Sequence, residues 1–348
     1  MTRSSSSQQA AQEGSFAADT PRPRVIDIGD GAHVEVQEWG ADRTSDAGTL
    51  FVMIPGNPGA VTPYERFMST IYTLGDGAIR CVTIGHTAHS SHSHGAAPQK
   101  SAGRGPHSLD EQVAHKRTVL RLLLAQSPPG TRLILGGHSV GAYCAVELLR
   151  EPEFSQSCDR AILLFPTLAN IGATVNGRRL TPLFRHGLTA AWWIVAGVSL
   201  LPEQARRAVV SRFAGAGADA ASVESLVEAV LNPDVVVNAL YMARTEMHAI
   251  REFDEAHWRA IEHKVIAYFG ETDGWVNDAD IVDIVQRFPR ATVERCTEGH
   301  GHAFVLSERS SRRLGERAWG WVSSTSGSRA GATTGSGRRR RNSIPRRR

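Results

Sequence analysis

Between Leu133 and Leu149 the chain reads LILGGHSVGAYCAVELL. An apolar run leads into Gly-His-Ser-Val-Gly, which leads into a helix-like run. A short continuous apolar run reads as a strand buried on both faces. The pentapeptide then has to turn that strand directly into a helix. Gly137 and Gly141 let the backbone turn tightly without a Cβ clash. Ser139 is thereby placed at the apex, with His138 inside the elbow, at the N-terminus of the helix.

Other strand-like runs alternate with helix-like runs along the same chain. The strand candidates are 33–39, 49–56, 79–85, 132–137, 161–166, 264–270 and 291–296. The helix candidates are 63–74, 109–126, 140–150, 277–287 and 303–321. Such alternation predicts an α/β fold, a mostly parallel sheet with helices on both faces. The stretch 167–262 is too long for an ordinary crossover and reads as a helical cap insertion. Within it, LTAAWWIVAGVSLL (188–201) carries no charge over fourteen residues. That is too short to span a bilayer. It reads either as a buried cap helix or as an interfacial segment with Trp192 and Trp193 at the lipid boundary.

The ends differ from the body. Residues 1–24 are a Ser/Gln/Ala-rich tail, 25–322 the folded domain, and 323–348 a Ser/Gly/Thr/Arg-rich tail unable to bury a core. The formal net charge of +4 misrepresents the body. The last eleven residues hold seven arginines and no acid, and without them 32 basic residues face 35 acidic ones. The N-terminus lacks the apolar core of a secretory signal. The four cysteines show neither a CxxC pair nor metal-ligand spacing and read as reduced, buried residues.

A serine hydroxyl needs a base to become a nucleophile, and the base needs an orienting acid. On a strand–elbow–helix fold these follow in the order Ser, acid, His. Downstream, GETDGW puts Asp273 just past a candidate strand, with Glu271, Asp278 and Asp280 as competing acids. "TDG" is also a turn signal. CTEGHGHAF puts His300 and His302 past the last strand. The oxyanion formed on an ester needs backbone donors. Val140, after the nucleophile, supplies one. The loop MIPGNPG supplies the other from Gly56 or Asn57, because Pro58 has no N–H.

These residues resemble the lipid droplet-associated hydrolase family. The matching stretches are PGNPG (55–59), IGH with AH following (84–89), DEQVAHK (110–116), GHSVGAY (137–143), LLFPT (163–167), NGRRLTP (176–182), GETDGW (270–275) and GHAF (301–304). The resemblance implies an α/β-hydrolase fold, with Ser139 as nucleophile, Asp273 as acid and His302, rather than His300, as base. It also implies residence on the cytosolic face of lipid droplets and the endoplasmic reticulum. HTAHSSHSHG (86–95) and the arginine-rich tail differ from the family pattern.

The histidines of that stretch, His86, His89, His92 and His94, have no carboxylate or cysteine among them and read as a solvated loop. His115 reads as a packing or pairing residue. The arginine tail can tether to an anionic membrane at about 1 kcal/mol per arginine. It lacks the aromatic interleaving of a specific nucleic-acid site. The expectation is a monomeric serine esterase acting on a lipid carboxylic ester, a sterol ester or another neutral lipid, with no metal or organic cofactor. A droplet-associated scaffold with little turnover and a thioesterase on the same fold are the alternatives.

Overall fold

The computed structural model describes residues 20–41, 48–89, 106–214, 219–220, 223–224, 226–227 and 231–324. Most of both tails, with His92 and His94, lies outside the described residues. Eight strands form one sheet: β1 (Arg22–Asp27), β2 (His33–Trp39), β3 (Thr49–Ile54), β4 (Ile79–Ile84), β5 (Arg132–His138), β6 (Cys158–Leu164), β7 (Val265–Phe269) and β8 (Thr292–Arg295). Their order across the sheet is β1-β2-β4-β3-β5-β6-β7-β8. β1 pairs antiparallel with β2, and β2 antiparallel with β4. All later pairings are parallel. This is the α/β-hydrolase arrangement.

The central strands are apolar because helices cover both faces. β4 and β7 are buried throughout. Alternate side chains divide between two cores. On one face Leu50, Val52, Leu133 and Leu135 pack with helices α2 (Leu109–Ala125), α3 (Val140–Leu148) and α10 (Asp278–Arg287). On the other, Phe51, Met53 and Ile134 pack with Phe67 and Ile71 of α1 (Glu65–Leu74) and with Leu314 and Ala318 of α11 (Glu308–Ser323). Helices α4 (Pro152–Ser157) and α9 (Glu255–Ile261) precede β6 and β7. All four cysteines are buried and free.

β1 corrects the expected tail boundary. It begins at Arg22, inside the stretch read as a tail, because its backbone pairs with β2 from Arg22↔Glu38 to Asp27↔His33. Arg24 Nη1 also donates to Glu38 Oε2 at 2.8 Å. An edge strand of sequence RPRVID, largely exposed, lacks the apolar run that marks its neighbours.

The insertion between β6 and β7 carries α5 (Val175–His186), α6 (Leu188–Ser199), α7 (Glu203–Ala214) and α8 (Pro233–Ala249). No residue of α6 is buried. A fully buried cap helix is therefore excluded: Trp193 and Ile194 are exposed, while Trp192, Val195 and Val198 are half-buried. Among the described residues, no helix is long and apolar enough to cross a membrane.

Candidate active site

β5 ends at His138 and α3 begins at Val140, which leaves Ser139 alone in the turn. Its backbone has φ 54° and ψ −123°, a conformation that a residue with a side chain rarely adopts. Such strain costs on the order of 1–3 kcal/mol and persists only where its surroundings enforce it. Here β6 and the segment after it do so. Ser139 N donates to Leu164 O at 3.0 Å, and Thr167 N donates to Ser139 O at 3.3 Å. The flanking glycines are sterically obligatory. A Cβ on Gly141 would lie 2.2 Å from Ile54 O, and one on Gly137 would lie 2.4 Å from Gly141 O.

The loops after β7 and β8 bring Asp273 and His302 to this apex. His302 Nδ1 lies 2.7 Å from Asp273 Oδ2, and His302 Nε2 lies 3.0 Å from Ser139 Oγ. The carboxylate accepts from Nδ1–H, so Nε2 presents its lone pair to the serine hydroxyl. Asp273 Oδ1 accepts from Trp275 N at 2.8 Å. Its turn role and its contact to histidine thus coexist, one oxygen for each. Of the competing residues, Glu271 is exposed and the other three are engaged elsewhere. Asp278 pairs with Arg295, and Asp280 accepts from Asn170 and Asn277. His300 Nδ1 lies 3.1 Å from Ser310 Oγ.

His138 ties the site together from below. Its Nε2 lies 2.8 Å from His302 O, and its Nδ1 2.5 Å from Tyr64 Oη. A carbonyl only accepts, so the proton sits on Nε2, and Tyr64 donates to Nδ1. Tyr64 Oη in turn accepts from Gly56 N at 2.8 Å. Burial holds His138 neutral, pushing its pKa down to about 3, with His302 nearby adding to the shift. Burial also pushes the Tyr64 hydroxyl upward. This network corrects one expectation: Gly56 cannot serve as the oxyanion donor, because Tyr64 already takes its N–H. Asn57 N has no partner among the described residues. Val140 is the first residue of α3, where an N–H lacks an intrahelical acceptor.

Ser139 opens onto a cavity of about 500 Å³. Its walls are mostly apolar, with Leu180 and Leu183 of α5, Leu240 and Met247 of α8, and Trp275. Glu246 of α8 is an acid among them. The cap and the acid loop are joined directly, Asn176 N donating to Gly274 O at 2.9 Å.

The reading of His86 and His89 as part of a solvated loop is overturned, since both are buried. His86 N donates to Gly59 O at 3.0 Å, and His89 Nδ1 donates to Pro58 O at 2.6 Å. Gln112 and Lys116 of α2 hold the segment from behind. Gln112 exchanges two hydrogen bonds with the Thr87 backbone, and Lys116 Nζ donates to Gly85 O at 3.2 Å. Burial pushes His89 down to about 3 and Lys116 down to about 8. These side chains brace the Gly-Asn-Pro-Gly loop. His115 packs its ring edge-on against His107, with centroids 4.9 Å apart. Of the two cap tryptophans, Trp193 is 68 % exposed, whereas Trp192 is half-buried. Trp192 Nε1 donates to Asp234 Oδ1 on α8 at 3.0 Å.

Sequence reasoning missed Tyr64 and Glu246. Each stands on its own helical segment with no motif around it, and only the packing brings it to the site.

Solved structures share this architecture. A soluble variant of monoglyceride lipase from Saccharomyces cerevisiae aligns with a TM-score of 0.58 at 12 % identity, covering 88 % of this chain and 96 % of that one. Haloalkane dehalogenase DbeA from Bradyrhizobium elkani aligns at 0.63 and 12 % identity, covering 88 % and 99 %. Different chemistries on one fold mean that the architecture alone does not select the reaction. Sequence relatives are more specific. Lipid droplet-associated hydrolase of Mus musculus is 30 % identical over 268 residues, covering 74 % of this chain and 80 % of that protein. The Gallus gallus protein of the same name is 29 % identical over 263 residues, with the same coverage. A family model described as lipid-droplet associated hydrolase matches residues 47–305, from the strand before the Gly-Asn-Pro-Gly loop to just past His302. The chain therefore belongs to the lipid-droplet associated hydrolase family.

Proposed function

We propose that this protein is a serine esterase that cleaves carboxylic esters of neutral lipids, sterol esters among them, at lipid droplets. The observation that carries the reading is the unbroken Asp273–His302–Ser139 hydrogen-bond chain opening onto an apolar cavity. In this mechanism Ser139 Oγ attacks the acyl carbon while His302 Nε2 takes its proton. The N–H groups of Val140 and Asn57 receive the oxyanion. The intermediate collapses, and the leaving alcohol takes the proton from His302. Water, deprotonated by His302, then attacks the acyl carbon, and His302 returns that proton to Ser139 Oγ as the carboxylic acid leaves. Asp273 holds the imidazole in the required tautomer and stabilises its positive charge.

The names of the relatives and the exposed apolar α6 support residence at a lipid surface. There α6 would lie against the droplet or endoplasmic reticulum monolayer on the cytosolic side. The arginine-rich tail would add an electrostatic contact to anionic lipid.

The test is a matched substrate panel presented in emulsion: sterol ester, triacylglycerol, monoacylglycerol, and one acyl chain as thioester and as amide. Ester hydrolysis that is lost in Ser139→Ala is the expected result. Removing the nucleophile of such a triad lowers kcat by about 10⁶-fold. Thioester turnover far above ester turnover would reassign the substrate class, and equal turnover by Ser139→Ala would reject the mechanism.

A further inference from the structure

The Gly-Asn-Pro-Gly loop is pinned at each residue by a different partner. Tyr64 Oη takes the Gly56 N–H, His89 holds the Pro58 carbonyl, and His86 N donates to Gly59 O. Asn57 is held by its side chain. Its Nδ2 donates to Ala239 O at 2.8 Å and to Glu246 Oε1 at 3.0 Å. Both acceptors lie on α8, two turns apart on one helical face. The carboxamide has two N–H donors, and α8 uses both.

We infer that Glu246 is a positioning residue of the active site: its carboxyl fixes the Asn57 side chain to the cap helix and so holds the Asn57 backbone N–H in place for the oxyanion. The inference rests on the serine-esterase reading. With Gly56 N engaged and Pro58 lacking an N–H, Asn57 is the donor left among these three residues. An oxyanion donor acts through preorganisation, so a loop free to shift loses transition-state stabilisation more than substrate affinity.

Glu246 is otherwise hard to explain. It is 5 % exposed in a mostly apolar cavity wall, where burial of a carboxyl is unfavourable. That burial pushes its pKa up to about 7, and the bond from Asn57 offsets part of the rise. The helix that carries it is bolted to the body beside the loop. Asn238 Nδ2 donates to Ala88 O at 2.9 Å, and Leu109 N donates to Thr245 Oγ1 at 3.0 Å. α8 is thus a fixed reference against which the Asn57 side chain is set.

The test compares Glu246→Ala, Asn57→Ala, their double mutant and Glu246→Gln in the full-length protein. The substrate is a soluble short-chain ester, and thermal melting monitors the fold. Asn57→Ala keeps the backbone N–H and removes only the clamp. Each alanine variant is expected to lower kcat about 10-fold or more, since deleting an oxyanion donor outright costs about 10²–10³. KM should stay within about twofold. The double mutant should be no worse than the poorer single, the signature of one shared contact. Glu246→Gln, whose amide oxygen accepts the same bond, should recover most of the rate. Wild-type kcat in both alanine variants, a loss confined to KM, or losses that multiply in the double mutant would overturn the inference. If Glu246→Ala does not fold, Asn57→Ala and Glu246→Gln still decide it. Wild-type turnover that survives Ser139→Ala would overturn the serine reading instead.

Discussion

His138 shows how one residue serves both the fold and the site. It lies in the elbow beside the serine, yet its ring bonds run to Tyr64 and to the backbone of His302. Its folded pKa of about 3 lies below the ordinary 6.5 because burial disfavours the cation. The stability that its neutral ring contributes is fully present above pH 6.5. It drains as pH falls from 6.5 toward 3, to at most about 5 kcal/mol for a shift of that size. Glutamine offers an acceptor and a donor at similar reach but does not titrate in this range. Urea unfolding at pH 7.5, 5.5 and 4.5 should therefore show wild type losing stability faster on acidification than His138→Gln. Parallel curves would contradict the neutral-imidazole bridge. Ser139 and Asp273 were legible in the sequence because their order along the chain follows the order of strand ends, whereas that order left His300 and His302 both open and only the family resemblance pointed to His302. Tyr64 and Glu246 were not, since a lone tyrosine after a loop and a lone glutamate on a helix carry no periodic or motif signal. Gly56 and Asn57 were equally good oxyanion donors on paper. Only the Tyr64 hydroxyl separates them.

At the scale of elements, every strand except the β1 edge was legible. β3 to β7 read as strands because burial on both faces demands apolar residues at successive positions. β1 is stabilised by pairing with β2 and leaves much of its surface in solvent, so its sequence resembles a tail. The histidine-bearing segment after β4 failed for the opposite reason. Polar residues signal a surface loop, but His86 and His89 are buried against the Gly-Asn-Pro-Gly loop and braced by α2. The cap helix α6 is apolar without being buried, and the face it presents includes Trp193, Ile194 and, just beyond it, Leu200 at 87 % exposure. Burying one such side chain in lipid contributes about 1.5–3 kcal/mol. Trp193→Ser with Ile194→Ser should therefore weaken binding to triolein–phospholipid emulsions by about tenfold or more. Melting temperature and hydrolysis of a water-soluble ester should be unchanged. Undiminished flotation with the emulsion would move lipid contact away from α6.

At the scale of the whole molecule, one mostly parallel sheet delivers three loops to the same end, and a helical insertion roofs them. The elbow after β5, the Asp273 loop after β7 and the His302 loop after β8 converge because parallel strands end on one side of the sheet. The cap supplies much of the apolar cavity wall and, through α8, both partners of the Asn57 side chain. Body and cap therefore form one site. The long insertion was legible as a cap from its length, while its hydrogen bonds to the Asn57 side chain were not. The most direct measurement of the central claim is covalent capture. Purified protein is treated with a fluorophosphonate probe and analysed by intact mass and peptide mapping, alongside Ser139→Ala and His302→Ala. A single adduct on Ser139, absent in Ser139→Ala and formed far more slowly in His302→Ala, is the predicted result. No adduct on folded wild type, or equal labelling of Ser139→Ala, would contradict the account.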